Sequence, residues 1–339
     1  MMKKNYVISL CLILLLTGCS SVQTISFDRL QAADVSFPEV IKKVGIVNNI
    51  PGIQETDMEQ FRKSAVFEGD GKVMAEALAQ EIAATNYFDE VVICDSALCP
   101  ASFTLKSIEG SKEEWEGHML SKAVAGEWLE KLNVDMLISV ERARIGLENG
   151  TALSAWQEPV KVIDGIITPM VRIYVPNRDK PAFTLTKTDT IFWSAHATLT
   201  IGKVVKESSE YAATMLMPYL IPYWKEVSRN YYDGGCVEMR DAGVYLREGD
   251  WEEAYALWKK VYDTRKGIKK MKASFNLALY SEMQNELEQA LEYLKVAEGL
   301  VEKDSYDAIL VRTYQIKLAA LVDKNQKLQI QMKRFDDKY

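Results

Sequence analysis

The spacing of apolar residues predicts strands that alternate with helices in the first part of the chain. Three short apolar runs are typical of buried strands: Val44 to Asn48, Val91 to Cys94 and Met136 to Val140. Segments with helical periodicity lie between them at about 72–85 and 120–132, and Asp70 is a suitable N-cap for the first. This alternation indicates a parallel sheet with crossover helices.

The pattern changes near residue 149, where strand-like segments alternate with turn residues. Asn149-Gly150 and Asp164-Gly165 favour tight hairpins, and Asn177 to Asp179 is a further turn. The segments around them are rich in Val, Ile, Thr and aromatic residues and predict an antiparallel meander: Val160 to Ile163, Ile166 to Val175 and Phe183 to Thr200. We therefore predict an α/β domain with a mixed sheet over residues 42–205.

Residues 206–234 are predicted to be a connecting helical segment. Within it, Tyr211 to Trp224 is apolar and aromatic but shorter than the roughly 20 residues of a membrane-spanning helix, and Pro218 and Pro222 interrupt it. We interpret it as a kinked segment packed between two domains. A surface that rests on a membrane or a partner is the alternative.

Residues 235–339 repeat a helical pattern at an interval of 36 residues. Ala242 and Ala254 recur as Ala278 and Ala290, and small residues at such positions let paired helices approach closely. The pattern resembles the tetratricopeptide repeat, although it lacks that repeat's Gly and closing Pro. The fold class predicted is thus an α/β (α+β) domain followed by an all-α, tetratricopeptide-like repeat domain, with a plain helical bundle as the alternative.

The N-terminus has the features of a secretory signal over residues 1–18. Two lysines precede an apolar run that is too short to span a bilayer. The run closes with Leu16, Thr17, Gly18 and Cys19, which resemble the lipobox read by the lipoprotein signal peptidase. The resemblance implies cleavage before Cys19 and lipid attachment to it, with residues 19–41 as anchor and linker. A secreted protein with a cysteine near its cut site is the alternative.

The residues after Cys19 suggest a location. Ser20 replaces the Asp that would suggest retention in the inner membrane, and no acidic run follows. We therefore expect the protein to lie at the outer membrane and to face the periplasm. The several acyl chains of such an anchor would hold it at the membrane almost permanently. Surface exposure is the alternative orientation.

Net charge bears on the classes of partner, and the cysteines bear on a possible disulfide. The net charge is −7, which argues against nucleic acid or anionic lipid as the main partner. Besides Cys11 and Cys19, the chain has Cys94, Cys99 and Cys236. Cys94 and Cys99 are close enough in sequence for a disulfide, with three buried thiols as the alternative.

No complete catalytic or metal-binding motif is found in the sequence. Gly69-Asp-Gly71 opens a helix but lacks the remaining residues of a phosphate-binding loop. His196 has no nucleophile elbow to accompany it, and His118 lies in a polar stretch. We therefore expect no catalytic residue, no metal and no cofactor. The loops 49–69 and 95–117 follow predicted parallel strands, where ligand sites commonly form.

One stretch resembles known envelope lipoproteins. The run from Glu76 to Ile93, together with Val134-Asp-Met-Leu-Ile138, resembles the curli secretion lipoprotein, the TolB N-terminal domain and outer-membrane activators of peptidoglycan synthases. The whole chain is similar to a family of Bacteroidota outer-membrane lipoproteins. This resemblance implies an architecture rather than an activity.

These observations predict a membrane-anchored scaffold or assembly factor of the cell envelope. An envelope protein or peptide would bind the concave face of the helical repeats, whose inward residues are Met239, Leu246, Lys272, Phe275, Leu279 and Glu282. One alternative is an enzyme or glycan-binding factor with a site at the sheet edge above Asn48 and Asp95. The other is an oligomeric secretion lipoprotein.

Overall fold

The structure is a computed structural model that describes residues 21–50, 66–94, 98, 119–194 and 199–336. Its strands are β1 (Val22–Gln31), β2 (Lys43–Asn48), β3 (Val66–Glu68), β4 (Glu90–Cys94), β5 (Met136–Leu153), β6 (Pro159–Tyr174), β7 (Phe183–Thr186), β8 (Asp189–Ser194) and β9 (Tyr223–Tyr232). Its helices are α1 (Gly71–Ala84), α2 (Lys122–Leu132), α3 (Ile201–Leu220), α4 (Val237–Arg247), α5 (Trp251–Thr264), α6 (Ile268–Met283), α7 (Leu287–Glu298) and α8 (Tyr306–Asp336).

The chain divides into two compact units. Residues 32–223 and 328–339 form the first, which we call the α/β unit. Residues 224–327 and the segment that ends at Gln31 form the second, which we call the helical unit. A mixed sheet with helices followed by a run of helices confirms the predicted fold class.

The α/β unit contains a sheet with the strand order β4-β2-β5-β6-β7, in which β3 also pairs with β5 and β8 with β6. Strand β2 is parallel to β4 and β5, whereas β6 is antiparallel to β5. The three parallel strands are those predicted from the apolar runs. The predicted N-cap is also present, because the Asp70 carboxylate accepts hydrogen bonds from the backbone of Lys72 and Val73.

The two faces of this sheet have separate cores. Helices α1 and α3 cover one face, where Leu78 and Leu216 are fully buried with Ile138 of β5. On the other face Leu129 of α2 is buried with Leu137, the neighbour of Ile138. Successive residues of a strand point to opposite faces, so β5 contributes to both cores.

The predicted turns at Asn149-Gly150 and Asp164-Gly165 are wrong. Both dipeptides lie inside the long strands β5 and β6, in the register Asn149↔Ile163 and Leu147↔Gly165, and the chain reverses at residues 154–158 instead. The glycines serve close packing: a Cβ on Gly165 would lie 2.5 Å from Cζ3 of Trp193.

The predicted single strand Phe183 to Thr200 is also wrong. Strands β7 and β8 are separate and pair with different parts of β6. The predicted turn beginning at Asn177 is present, and Asn177 has a positive φ of 64°.

The segments 19–41 and 206–234, predicted as a linker and a connector, contain regular elements. Strand β1 lies in the first, where Ile25 and Phe27 alternate with polar residues and pack against the helical core. The second contains the end of α3, whose Ala212 and Leu220 are fully buried in the α/β core. Both segments therefore bury apolar side chains.

In the helical unit, α4–α5 and α6–α7 are consecutive helical hairpins. The small residues of the 36-residue repeat, Ala242, Ala254, Ala278 and Ala290, are all fully buried. Complete burial at these positions agrees with closely packed helix pairs. The assignment to the tetratricopeptide repeat stays a prediction.

Strands β1 and β9 form a two-stranded sheet within the helical unit. Hydrogen bonds join the side chains of Thr24 and Asn230 and those of Ser26 and Ser228, a pattern of antiparallel strands. The sheet packs on α6, because the amide of Asn276 both donates to and accepts from the backbone of Tyr232.

Candidate functional site

A buried polar cluster lies at the carboxyl end of the parallel strands of the α/β unit. Asn49 directly follows β2, and Ser139 and Glu141 belong to β5. Arg172 and Tyr174 come from the adjacent β6, in which Arg172 pairs with Ser139. In α/β sheets, this end of the strands is where ligands commonly bind.

Glu141 is the centre of this cluster. Its Oε2 atom accepts a hydrogen bond of 3.0 Å from Nδ2 of Asn49 and lies 3.5 Å from Nη1 of Arg172. The side chain of Glu141 is fully buried. Oγ of Ser139 and Oε1 of Glu141 have no hydrogen-bond partner of acceptable geometry in the part of the chain that the structure describes.

The surroundings raise the pKa values of the Glu141 carboxyl and the Tyr174 hydroxyl. Burial raises the pKa of Glu141 to about 7, although Ser139, Arg172 and Asn49 oppose the rise. Burial and the charge of Glu141 raise the pKa of Tyr174 to about 12. The Tyr174 hydroxyl accepts a hydrogen bond of 3.0 Å from the backbone N–H of Leu120. A carboxyl group with a pKa near 7 can donate or accept a proton at neutral pH.

Sequence reasoning located this edge but missed most of the cluster. Asn49 begins one of the loops singled out as a place for a site, and Asn48 uses its Oδ1 locally to accept from the backbone of Ile50. Ser139 and Glu141 interrupt an apolar strand at every second position, and this was the signal for a polar group on one sheet face. Asp95 lies outside the described residues.

The predicted protein-binding residues do not form an open surface. Met239, Leu246, Phe275 and Leu279 are buried in the core of the helical unit, and Glu282 is buried as well. The reason is the β1–β9 sheet, because its side chains pack on the same residues of α6. Phe275, for example, packs edge-on against Tyr232 of β9 with ring centroids 5.2 Å apart.

Glu282 holds this sheet against α6. Its carboxylate accepts hydrogen bonds from Arg29 of β1 at 3.0 Å and from Arg229 of β9 at 2.6 and 2.8 Å. The hydroxyl of Tyr314 donates to the same group at 2.6 Å. Burial and the Glu282 charge raise the pKa of Tyr314 well above its usual value. Glu282 therefore has a structural role in joining the sheet to α6. Lys272, the remaining predicted binding residue, donates a hydrogen bond to Oγ of Ser21.

A third feature of interest is the end of the β5–β6 hairpin. Among the described residues, β3 pairs with β5 as far as Gly146, and β8 pairs with β6 as far as Val162. Residues 147–161 lie beyond the described parts of β3 and β8, and we call them the hairpin arm. Leu153 and Trp156 at its tip are 71% and 88% exposed.

Several predicted residues lie outside the described part of the chain. These are the lipobox residues Leu16, Thr17, Gly18 and Cys19, together with the two histidines. Cys94 and Cys236 form no disulfide with any cysteine that the structure describes, and Cys99, the suggested partner of Cys94, is not among those residues. The disulfide stays a prediction.

The described residues contain neither a metal cluster nor a helix suited to span a membrane. Among them no three His, Cys, Asp or Glu side chains are grouped as a metal site would require. Within the same ranges, no helix combines the length and the apolar character needed to cross a bilayer.

Comparison with family models gives a family for the chain. Residues 41–232, more than half of the 339 residues, match a model described as a domain of unknown function, DUF8603. The chain belongs to the DUF8603 family. In this DUF8603 protein, residues 240–320 match a second domain of unknown function, DUF6340, and lie within the helical unit. No curated protein matches the chain.

Solved structures similar to this DUF8603 protein include a dodecamer of a PelC point variant from Paraburkholderia phytofirmans. It is 15% identical, with a TM-score of 0.26, and the match covers 57% of this chain and 98% of that one. A minor lipoprotein from Acinetobacter baumannii is 10% identical, with a TM-score of 0.24 and coverage of 53% and 90%. At these scores neither structure supports a statement about the activity of this chain.

Proposed function

We propose that this protein is a lipid-anchored scaffold of the cell envelope that binds a partner protein through the hairpin arm. The observation that carries the proposal is the exposure of Trp156 at the tip of the arm. Trp is the residue type most enriched among those that dominate binding energy at protein interfaces.

The arm is built in a way that favours contact with a partner. Of the residues that the structure describes, two strands form its outer part, and a two-stranded hairpin is only marginally stable in water. It nevertheless exposes Leu153 and Trp156, whose burial against a partner would contribute roughly 1.5–3 kcal/mol each. The polar residues Thr151, Lys161 and Glu158 nearby supply the polar rim common at such interfaces.

The anchor is supported by the sequence. Leu16-Thr17-Gly18-Cys19 ends an apolar run of the length and flanking charge of a signal peptide. An outer-membrane position facing the periplasm is part of this proposal. We expect Cys19→Ala to abolish incorporation of labelled palmitate and to release the protein from the membrane fraction. Retention of label in this variant would contradict the anchor.

Partner binding is tested by crosslinking in cells, with a photoreactive residue at position 153 and mass spectrometry of the adducts. We expect an envelope protein to be captured when Trp156 is intact, and the capture to fall at least tenfold in Trp156→Ala. Trp224→Ala is the matched control, because Trp224 is 69% exposed in β9 of the helical unit. Equal capture by both variants would exclude the arm as the binding element.

A second function, binding of a polar ligand such as a glycan, is favoured by the cluster around Glu141. Oγ of Ser139 and Oε1 of Glu141 are buried without a hydrogen bond of acceptable geometry to any described residue, and a ligand hydroxyl could bond to both. The test is thermal stabilisation by soluble cell-wall glycan fragments. Stabilisation of the wild type that is absent in Glu141→Gln supports the site, and no stabilisation of the wild type rules out this ligand class.

A further inference from the structure

The turn between α5 and α6 carries a dense group of positive charges. Five of the eight residues 265–272, which we call the basic turn, are Lys or Arg: Arg265, Lys266, Lys269, Lys270 and Lys272. The first three of them are exposed, and the apolar Ile268 among them is 48% exposed. The net charge of the whole chain is −7, so this local excess of positive charge is not apparent from the overall composition.

Few acidic groups neutralise the basic turn. Arg265 lies 3.4 Å from Oε1 of Glu238, and Lys270 lies over the ring of Tyr262. Lys266 and Lys269 make no ion pair with any residue that the structure describes. The turn therefore presents uncompensated positive charge to solvent.

These charges do not stabilise the helix that they open. The N-terminus of a helix is the positive end of its dipole, and cations there are unfavourable. Helices α4, α5, α7 and α8 of the same unit each have an acidic residue in the first turn, whereas α6 has none and carries Lys269 and Lys270 there. The fold alone gives no reason for this choice of residues.

The position of the basic turn suggests what neutralises it. Nζ of Lys272 donates a 2.9 Å hydrogen bond to Oγ of Ser21. Cys19 precedes Ser21 by two residues, which span at most about 7 Å. If Cys19 carries the lipid, as the proposed function states, the basic turn lies next to the membrane surface.

We propose that the basic turn binds the anionic headgroups of the phospholipid surface in which the chain is anchored. Lys266 and Lys269 contact lipid phosphates, and Ile268 between them enters the headgroup layer. A basic residue near an anionic membrane strengthens binding by roughly fivefold. This second attachment fixes the orientation of the helical unit on the membrane, which a lipid on Cys19 alone does not.

The experiment separates this surface from the lipid anchor. The full mature chain with Cys19→Ala is mixed with vesicles that contain 30% phosphatidylglycerol in phosphatidylcholine, or phosphatidylcholine alone, and sedimented. A double variant, Lys266→Glu with Lys269→Glu, is compared with a control of equal charge, Lys42→Glu with Lys180→Glu. Both control lysines are exposed residues of the α/β unit.

We expect salt-sensitive binding of the unmodified sequence to the anionic vesicles and none to phosphatidylcholine. The basic-turn variant should bind at least roughly thirtyfold more weakly, and the control should keep most of its affinity. Absence of binding to anionic vesicles, or an equal loss in both variants, overturns the proposal. Palmitate labelling of Cys19 is read separately, so failure of the anchor is distinguishable from failure of the basic turn.

Discussion

Arg229 of strand β9 forms a two-point ion pair with Glu282 of helix α6, with Nε 2.8 Å from Oε2 and Nη2 2.6 Å from Oε1. Arg29 of strand β1 donates to the same carboxylate. One buried anion thus joins both strands of the small sheet to the helix that they cover. The surface predicted to receive an external peptide is occupied by strands of the same chain.

Removing the charge of Glu282 should destabilise the helical unit strongly. Glu282→Gln leaves two guanidinium groups buried without their anion, and breaking a buried ion pair in this way costs about 3–5 kcal/mol. The free energy of unfolding, measured by denaturant titration with circular dichroism, should fall by that amount. Glu302→Gln, at an exposed position, should change it by less than about 0.5 kcal/mol. Equal values for the two variants would show that the ion pair contributes no net stability.

Stability of the α/β unit should decrease as the pH rises from 4.5 to 7 because of Glu141. Its pKa is about 7 in the folded chain, against an ordinary value of 4.5, so the folded state holds this proton more tightly. The stabilisation is complete below pH 4.5 and is lost as the pH passes 7, with a total of about 3 kcal/mol.

The comparison of unfolding free energies at pH 5 and pH 8 tests this effect. Glu141→Gln should remove this part of the pH dependence, whereas Glu158→Gln, in the exposed hairpin loop, should keep it. A wild type and a Glu141→Gln variant with the same pH profile would refute the assignment.

Packing of Trp193 over Gly165 should make position 165 intolerant of a side chain. In Gly165→Ala the new Cβ would lie 2.5 Å from the indole, which must move, at a cost of about 2 kcal/mol. Gly146→Ala is the matched control in the same strand pair, because its Cβ would meet no atom of the described residues closer than 3.8 Å. Thermal unfolding followed by Trp fluorescence should separate the two variants, and the same melting temperature for both would contradict the close approach.

Arg334 near the end of α8 should be essential for the α/β unit. Its guanidinium donates to the backbone carbonyls of Phe37, Pro38 and Ile41 and lies 4.9 Å from the ring centroid of Tyr87. Arg334→Ala should lower the free energy of unfolding by about 2–4 kcal/mol, since three carbonyls lose their donor.

The neighbouring Lys333 is exposed, and Lys333→Ala should have little effect. Hydrogen exchange of residues 33–41 gives the local readout. Protection of this segment that survives in Arg334→Ala would rule out the proposed role.

Sequence patterns predicted the elements that depend on local signals. The N-cap at Asp70, the three parallel strands and the helix pairs of the 36-residue repeat all follow from spacing or capping within a few residues. The glycines of β5 and β6 were misleading for the same reason. Their dipeptides are turn signals locally, but in the fold they belong to paired strands, where the side chains of Trp193 and Asp164 occupy the space next to Gly165 and Gly150.

The candidate site depends on longer-range contacts and was only partly predictable. The edge of the parallel strands was identified, but the environment of Glu141 combines burial, which raises its pKa, with contacts to Asn49 after β2 and Arg172 of β6, which oppose the rise. The ion pair of Arg29 with Glu282 joins residues 253 positions apart. No local sequence pattern contains such a pairing. The face of α6 that β1 and β9 cover was therefore predicted to be an exposed binding surface.

The contacts of Arg334 also set an order of events. The chain is synthesised from the N-terminus, so residues 328–339, the last segment of the α/β unit, are made only after residues 224–327 of the helical unit. Until Arg334 has been made, the backbone carbonyls of Phe37 and Ile41 lack the hydrogen bonds from its guanidinium, and the ring of Tyr87 lacks its cation–π contact. A nascent chain would therefore carry an unfinished α/β core through most of its translation, which is the interval when a chaperone would recognise it.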